Sequence, residues 1–333
     1  MTKNIDTAFE KFLADTVNLD SDESKTARSS RGWLIDRVHE FDGKYEDFPA
    51  LYNEKDIAFG SFSRRTKKRP LDDIDIMICM NAADAFYTEF SDKIEITVPE
   101  SSKNFRKLCF DGTDKLSSRK VINKFIENLK SISQYENSEI NRNQEACTLK
   151  LKSYSWNFDV VPCFFTSEDS FGNIFYMIPD GDGNWKKTDP RIDKDKTTRI
   201  NQKHDGYILN IIRIFKYWNK RPTMPSMSSY LLENMILDYY DGKNSTASSY
   251  IDLEILDVLD YIRMNIFNSV DDPKGIQGDL NVLTIEERDK ISTRAFVDLK
   301  KAKSAREYER NDNLKSCFNQ WKAVFGDKFP EYG

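Results

Sequence analysis

The sequence predicts an α+β fold, in which a mixed α/β segment is followed by an all-α segment. Before about residue 190, short apolar runs with alternating polarity indicate strands between helices, whereas after about residue 200 apolar residues recur at helical spacing. The Gly- and Asp-rich stretch "DGDGNWKKTDPRIDKDKTT" lies between the two patterns. We therefore expect two domains, 1–190 and 191–333.

The first half contains the strands of the predicted sheet. In "DIDIMICM", isoleucines alternate with aspartates, as in a strand with one buried face. Residues 84–118 are polar and show no strong period, so we expect an irregular insertion there, whose role the sequence leaves open. The other elements expected in this half are helices at 5–18, 28–41 and 119–133, strands at 55–60 and 73–80, a hairpin at 146–165 and a strand at 173–179.

The second half is predicted to be entirely helical. "YILNIIRIFKYWNK" is apolar almost all round, which indicates a buried helix, and "SSYLLENMILDYY" opens with serines that can cap a helix. The helices expected here are 207–220, 228–240, 250–268, 285–309 and 311–325.

Composition narrows the cellular setting. None of the 333 residues lies in an apolar run of the ~20 residues that a membrane-spanning helix needs, and the N-terminus lacks a secretory pattern. Five scattered cysteines without a CxxC pair favour a reducing compartment over disulfides or structural zinc. We therefore expect a cytoplasmic protein that does not bind membranes.

Charge and histidine content exclude several kinds of function. The net charge is −5, which argues against nonspecific nucleic-acid binding and against a nucleic-acid requirement. The two histidines, His39 and His204, are expected on solvated helix faces, and so few histidines disfavour zinc hydrolases and His-assisted nucleophiles. If the protein is an enzyme, carboxylates with bound metal should carry the chemistry.

One segment has the residues for such chemistry. Gly60 and Ser61 follow a strand, where a tight turn can expose backbone N–H groups to phosphate. Asp73 and Asp75 are two residues apart on the next strand, so both carboxylates leave the same face. Asp159, in "WNFDVVP", can supply a third carboxylate, although alone it could equally cap a turn. This order of residues predicts a metal-assisted phosphate site.

The ordered motifs resemble the nucleotidyltransferase (Pol β-like) superfamily, and more narrowly the bacterial CD-NTases, relatives of cyclic GMP–AMP synthase and oligoadenylate synthase. The similarity includes "GSFSRRTKKRPLDDIDI", "FDVVP", "YMIPDGDGNWKKTDP", "IIRIFKYWN", "SSYLLE" and "WKAVFGDKFP", so it spans nearly the whole chain. It implies a bilobed molecule with a central cleft, in which a Pol β-like core precedes a helical domain like that of oligoadenylate synthase.

The resemblance also implies roles for individual residues. Asp73, Asp75 and Asp159 match the catalytic triad that holds two Mg²⁺ ions, with Mn²⁺ as a substitute. The positions that match phosphate or base contacts are Gly60, Ser61, Arg65, Lys216, Ser229 and Tyr230. Two of these have alternatives: Lys216 can extend out of a buried helix towards solvent, and Tyr230 can be a core aromatic residue. Arg64 and Lys67 are also expected near the phosphates, whereas Lys68 and Arg69 are expected to be only solvated.

The function implied is the synthesis of a cyclic di- or trinucleotide second messenger from ATP and other nucleoside triphosphates, with release of pyrophosphate. In this family such signals serve anti-phage (CBASS) defence, so a downstream effector protein and a regulatory activator protein are expected partners. No zinc-binding thumb of His and Cys is present, so DNA activation is not implied. Two alternatives stay open: a templateless nucleotidyltransferase that modifies RNA or protein, and a catalytically silent nucleotide-binding partner protein. Base choice, ring size, linkage, trigger and oligomeric state are not determined by the sequence.

Overall fold

The structure, a computed structural model, describes residues 3–222, 224–225 and 227–333. The chain forms two compact units: a sheet unit, 21–63 with 71–191, and a helical unit, 1–20 with 64–70 and 192–333. The boundary near residue 191 lies where the composition changes, but two earlier segments also pack in the helical unit. No helix in the described ranges is long and apolar enough to cross a membrane.

In the described part of the chain, nine strands form one mixed sheet. Their order is β1-β2-β7-β8-β9-β4-β3, with β6 also paired to β7 and β5 to β6. The β2–β7 pair is parallel, and the other pairs are antiparallel. The strands are β1 Ile57–Phe59, β2 Asp73–Cys79, β3 Phe86–Glu89, β4 Ile94–Thr97, β5 Glu139–Asn143, β6 Ala146–Lys150, β7 Asn157–Phe165, β8 Tyr176–Pro179 and β9 Trp185–Thr188.

Helices flank the sheet in the first half and build the second half. A π-helical turn, Leu13–Val17, continues the first helix, and short 3₁₀ turns lie at Asn53–Lys55 and Ser133–Tyr135. The α-helices are α1 Ile5–Phe12, α2 Ser21–Val38, α3 Phe41–Lys44, α4 Gly60–Ser63, α5 Lys103–Arg106, α6 Ser118–Lys130, α7 Pro190–Lys203, α8 Ile208–Asn219, α9 Ser229–Gly242, α10 Ile251–Asn265, α11 Ile285–Arg310 and α12 Leu314–Phe325.

The helical unit owes its cohesion to one aromatic-rich core. Phe9 of α1 lies edge-on to Trp321 of α12, with ring centroids 5.0 Å apart, and Phe12 lies 5.4 Å from Phe325. All four side chains are at most 2% exposed. Each large aromatic side chain buries 150–250 Å², so these contacts hold α1 in the helical unit although it precedes the sheet in sequence.

The fold class predicted from the sequence is confirmed: a mixed sheet with helices precedes an all-helical segment. The helices expected in the second half are present, and the side-chain oxygen of Ser228 accepts a hydrogen bond from the backbone N–H of Tyr230 at the start of α9. The hairpin expected at 146–165 is the antiparallel pair β6–β7.

The expectation of an irregular 84–118 segment was wrong. This segment contains β3 and β4, and the register of β4 places Ile94 beside Trp185 of β9. The stretch between residues 180 and 198 was likewise not only a crossover, since it contains β9 and most of α7. Both strands have only four residues, and β4 also pairs with β9 about ninety positions away, so tertiary contacts rather than local propensity decide them.

Neither histidine lies on a solvated face. His204 is fully buried, where one ring nitrogen lies 2.8 Å from the Tyr240 carbonyl oxygen and the other accepts from the Ala247 N–H at 3.0 Å. The His39 ring lies 2.6 Å from Asp56 and is about one-quarter exposed. Both histidines hold loops in place. All five cysteines are free and buried.

Candidate active site

The three aspartates meet on two neighbouring strands of the sheet. Asp75 of β2 lies opposite Asp159 of β7 in the parallel register, and Asp73 lies two residues earlier, opposite Asn157. Alternation on β2 puts Asp73 and Asp75 on one face, while the intervening Ile74 is buried on the other. In-register neighbours in a sheet share a face, so three carboxylate positions lie on one side of two adjacent strands.

A glycine turn lies directly against one of these carboxylates. Gly60 follows β1 at the start of the four-residue helix α4, with φ +69°, and β1 pairs with β2 so that Phe59 is opposite Asp75. A Cβ atom at Gly60 would lie 1.8 Å from Asp75 Oδ2. Only glycine therefore lets this backbone approach the carboxylate. Ser61 follows in the same turn and is partly exposed.

A hydrogen bond from a neighbouring strand orients the third carboxylate. The Thr148 hydroxyl on β6 donates to Asp159 Oδ1 at 2.6 Å, and the register places these residues opposite each other. Within the described ranges, no three His, Cys, Asp or Glu side chains are already arranged to hold a metal ion. The donor chemistry nevertheless fits one, because carboxylate oxygens are the ligands that Mg²⁺ takes. Because Gly60 has no side chain, the backbone of this turn can lie directly beside the Asp75 carboxylate, as a phosphate- and metal-binding site requires.

The basic residues after this turn pack in the helical unit. Arg64 Nε donates to Glu233 Oε1 at 2.7 Å, and Thr66 Oγ1 donates to Glu233 Oε2 at 2.9 Å. Arg65 is exposed and has φ +63°. Arg69 was expected to be only solvated, which was wrong. Its guanidinium donates to the carbonyl oxygens of Asn18 at 2.9 Å and Ala14 at 3.2 Å.

Lys216 points into the interior of the helical unit. It is 4% exposed, forms a short ion pair with Glu233, and donates to Thr66 Oγ1 at 3.2 Å. Burial raises the pKa of Glu233, but the positive charges of Lys216 and Arg64 outweigh it and lower that pKa to about 2. Glu233 is therefore ionised at neutral pH, and Lys216 does not extend to solvent.

Tyr230 has polar partners at its hydroxyl and cations at its ring. Its O–H donates to Asp193 Oδ1 at 2.6 Å and lies 3.1 Å from Asp272 Oδ1. The Lys274 ammonium lies 4.4 Å, and the Arg64 guanidinium 5.9 Å, from the ring centroid. Burial and the neighbouring carboxylates raise the pKa of this hydroxyl, so it stays protonated. Ser229, beside it, is the first residue of α9.

Sequence reasoning missed three polar residues that contact the candidate site residues: Thr66, Thr148 and Glu233. Thr148 could have been found from the predicted hairpin, because the pairing of β6 with β7 places it opposite Asp159. Glu233 lies inside the quoted "SSYLLE" motif, but a glutamate in a helix gives no sign that it is buried. Two of its partners, Arg64 and Thr66, lie 169 and 167 residues earlier, and the third, Lys216, lies 17 residues earlier in the preceding helix.

A mixed sheet that presents aspartates from two adjacent strands beside a glycine turn is characteristic of nucleotidyltransferases. No family model matches the chain. A probable cyclic nucleotide synthase of Bacillus cereus strain VD146 is 45% identical over 334 residues, covering 100% of this chain and 99% of that protein. The chain belongs to this family, the bacterial CD-NTases, and is a nucleotidyltransferase.

Solved structures show the same fold at low sequence identity. CdnC of E. coli MS115-1, solved with ATP, is 16% identical over 97% of this chain and 98% of its own, with TM-score 0.70. The Vibrio cholerae DncV cyclic AMP–GMP synthase, solved with the linear intermediate 5′-pppA(3′,5′)pG, is 14% identical over 99% and 97%, with TM-score 0.69. Enzymes of this family are in general metal-dependent.

Proposed function

We propose that this protein joins ribonucleoside triphosphates into a cyclic di- or trinucleotide, releasing pyrophosphate at each bond. The observation that carries the proposal is the convergence of Asp73, Asp75 and Asp159 on one face of β2 and β7, in a chain 45% identical throughout to a probable cyclic nucleotide synthase. The DncV structure with a linear pppA(3′,5′)pG supports a route through a linear product.

The aspartates are proposed to hold two Mg²⁺ ions, for which Mn²⁺ can substitute. When bound, such ions activate the attacking hydroxyl and neutralise charge on the α-phosphate and the pyrophosphate. Gly60 allows the backbone to approach Asp75, and the Thr148 hydroxyl holds Asp159 in one orientation. Because the chain positions reactants and charges, the chemistry needs no histidine.

Other residues are proposed to bind the nucleotide. Ser61 and Arg65 are proposed to contact phosphates. The ammonium of Lys216 and the hydroxyl of Ser229 are proposed to do the same. Tyr230 is proposed to offer its ring to a base, and its hydroxyl bonds to Asp193 and Asp272 fix that ring. These roles rest on the positions in the matched motifs and on the side-chain contacts within each unit.

The biological role proposed is cytoplasmic signalling in bacterial anti-phage defence. The product would act on a separate effector protein, and a regulatory protein would control synthesis. CdnC has been solved in complex with HORMA-deltaN, which supports a protein regulator. The net charge of −5 supports activity without added nucleic acid.

The test is a product assay with the full chain. Purified protein, all four ribonucleoside triphosphates and Mg²⁺ should yield a small species that resists phosphatase, because a ring has no terminal phosphate. The matched control is the Asp73→Asn/Asp75→Asn variant, which should form none. Label found only in RNA or protein would replace this proposal with macromolecule modification. No turnover with Mg²⁺ or Mn²⁺ would show that the chain is not an autonomous synthase.

A further inference from the structure

Glu233 is a buried carboxylate with no role in the mechanism above. It is 1% exposed, and both of its oxygens accept hydrogen bonds. Oε1 takes Arg64 Nε at 2.7 Å, and Oε2 takes the Thr66 hydroxyl at 2.9 Å together with the Lys216 ammonium. One anion thus joins two cations from different parts of the helical unit.

One partner of Glu233, Lys216, is proposed above to contact phosphate, and the other, Arg64, is expected near the phosphates from the sequence. A buried carboxylate with several hydrogen bonds holds its donors in place. A donor that moves away loses a charge-assisted hydrogen bond, which is strong in a medium of low dielectric constant. Arg64 is also held over the ring of Tyr230, 5.9 Å from its centroid. Arg64, Lys216 and the nearby Lys67 outnumber the Glu233 carboxylate, so this group carries net positive charge, which favours a phosphate ligand.

Lys216 depends on Glu233 for its charge as well as for its position. Burial lowers the pKa of Lys216, and the charges of Arg64 and Lys67 lower it further, whereas Glu233 raises it. The groups that face the ammonium are therefore two cations and one carboxylate, with the Thr66 hydroxyl beside them. Without the carboxylate, a buried ammonium near two like charges loses its proton readily.

We propose that Glu233 is a positioning residue that holds Lys216 and Arg64 in place, and keeps Lys216 charged, for binding the nucleoside triphosphate. This rests on the proposed function, in which Lys216 contacts phosphate. Glu233 itself, fully engaged by donors, does not touch the nucleotide. Its loss should therefore weaken binding of the triphosphate far more than binding of the monophosphate.

The experiment measures binding of a non-cleavable α,β-methylene ATP analogue and of AMP by calorimetry, with the full chain and Mg²⁺. The variants are Glu233→Gln, Lys216→Ala and the double variant. The control is Asp298→Asn. Asp298 is a fully buried carboxylate in the same unit, paired with Arg294 at 2.8 Å and Lys301 at 3.0 Å, but it has no proposed role in binding.

We expect Glu233→Gln to weaken binding of the analogue by about 10- to 100-fold, because hydrogen bonds to charged groups contribute about that much. Binding of AMP should weaken by less than about threefold. The loss of affinity should become smaller as the pH is lowered, because burial and the neighbouring cations lower the pKa of Lys216 and acid restores its proton. Glu233→Gln should reduce the affinity for the analogue less in the Lys216→Ala variant than in the wild-type protein, because the two residues act together. Asp298→Asn should destabilise the protein and leave both affinities unchanged.

Three results would overturn the inference: equal affinity of Glu233→Gln and wild type, an equal loss for AMP and the analogue, or the same cost on both backgrounds. If Glu233→Gln does not unfold cooperatively, Glu233→Asp takes its place. This variant should bind the analogue more weakly, but the loss should not depend on pH, because the charge is kept. Wild-type protein that binds the analogue but makes no cyclic product refutes the proposed function alone. Wild-type protein that does not bind the analogue refutes both.

Discussion

Replacing Gly60 with alanine tests whether the turn after β1 exists to admit the Asp75 carboxylate. The new Cβ would lie 1.8 Å from Asp75 Oδ2 and 2.6 Å from its Cγ, whereas ordinary contact begins near 3.4 Å. The oxygen therefore has to move by about 1.6 Å. A displacement of 1 Å at a reacting centre can cost about 100-fold, so we expect product formation to fall at least about 100-fold.

The same change also strains the backbone, and a control separates the two effects. Alanine at φ +69° costs about 1–2 kcal/mol, which corresponds to roughly 2–8 °C in Tm. Gly112→Ala carries similar strain at φ +73° in the same unit, but no atom lies within 4 Å of its Cβ. Both variants should lose stability, Gly60→Ala the more because its Cβ meets Asp75, and only Gly60→Ala should lose activity. Comparable activity in the two variants would refute the role given to the turn.

Two further predictions concern carboxylates. Asp73→Asn with Asp75→Asn should abolish product, because the metal loses two ligands, while Tm stays within a few degrees of wild type; activity within about tenfold of wild type would contradict the metal assignment. Glu233 has its pKa lowered from 4.5 to about 2, so its contribution is fully present above pH 4.5 and is lost as the pH falls towards 2. Urea unfolding between pH 5 and pH 2 should therefore show a stability gap between wild type and Glu233→Gln, on the order of 3 kcal/mol, that closes at the acid end.

Local patterns were sufficient to predict much of the fold. The alternation in β2 and the all-round apolar character of α8 are properties of consecutive residues, and both elements form where expected. In β4 the same alternation is present, with Ile94 and Ile96 buried and Glu95 between them. It was missed because only four residues carry it, amid polar neighbours, and its pairing with β9 is not visible locally.

Some features of the candidate site could likewise be predicted from local sequence, and others could not. The Asp-x-Asp spacing predicts that Asp73 and Asp75 share a face, because that follows from the period of a strand. The burial of Glu233 could not be predicted, because a lone glutamate in a helix is ordinarily exposed. It can be buried because Arg64, Thr66 and Lys216 supply donors that replace water, and two of these, Arg64 and Thr66, lie 169 and 167 residues away in the sequence.

These contacts explain why an acidic protein has five basic residues in the six positions from 64 to 69. The chain leaves the sheet unit after Ser63 and returns at residue 71, and the intervening segment packs in the helical unit. Two of its arginines are held by hydrogen bonds there: Arg64 bonds to Glu233, and Arg69 bonds to carbonyl groups near the end of the first helix. Arg65, between them, is exposed. The run therefore combines fixed anchors with at least one accessible cation, and its arginines are not interchangeable: lysine at position 64 could not keep the fork geometry that a guanidinium offers to a carboxylate.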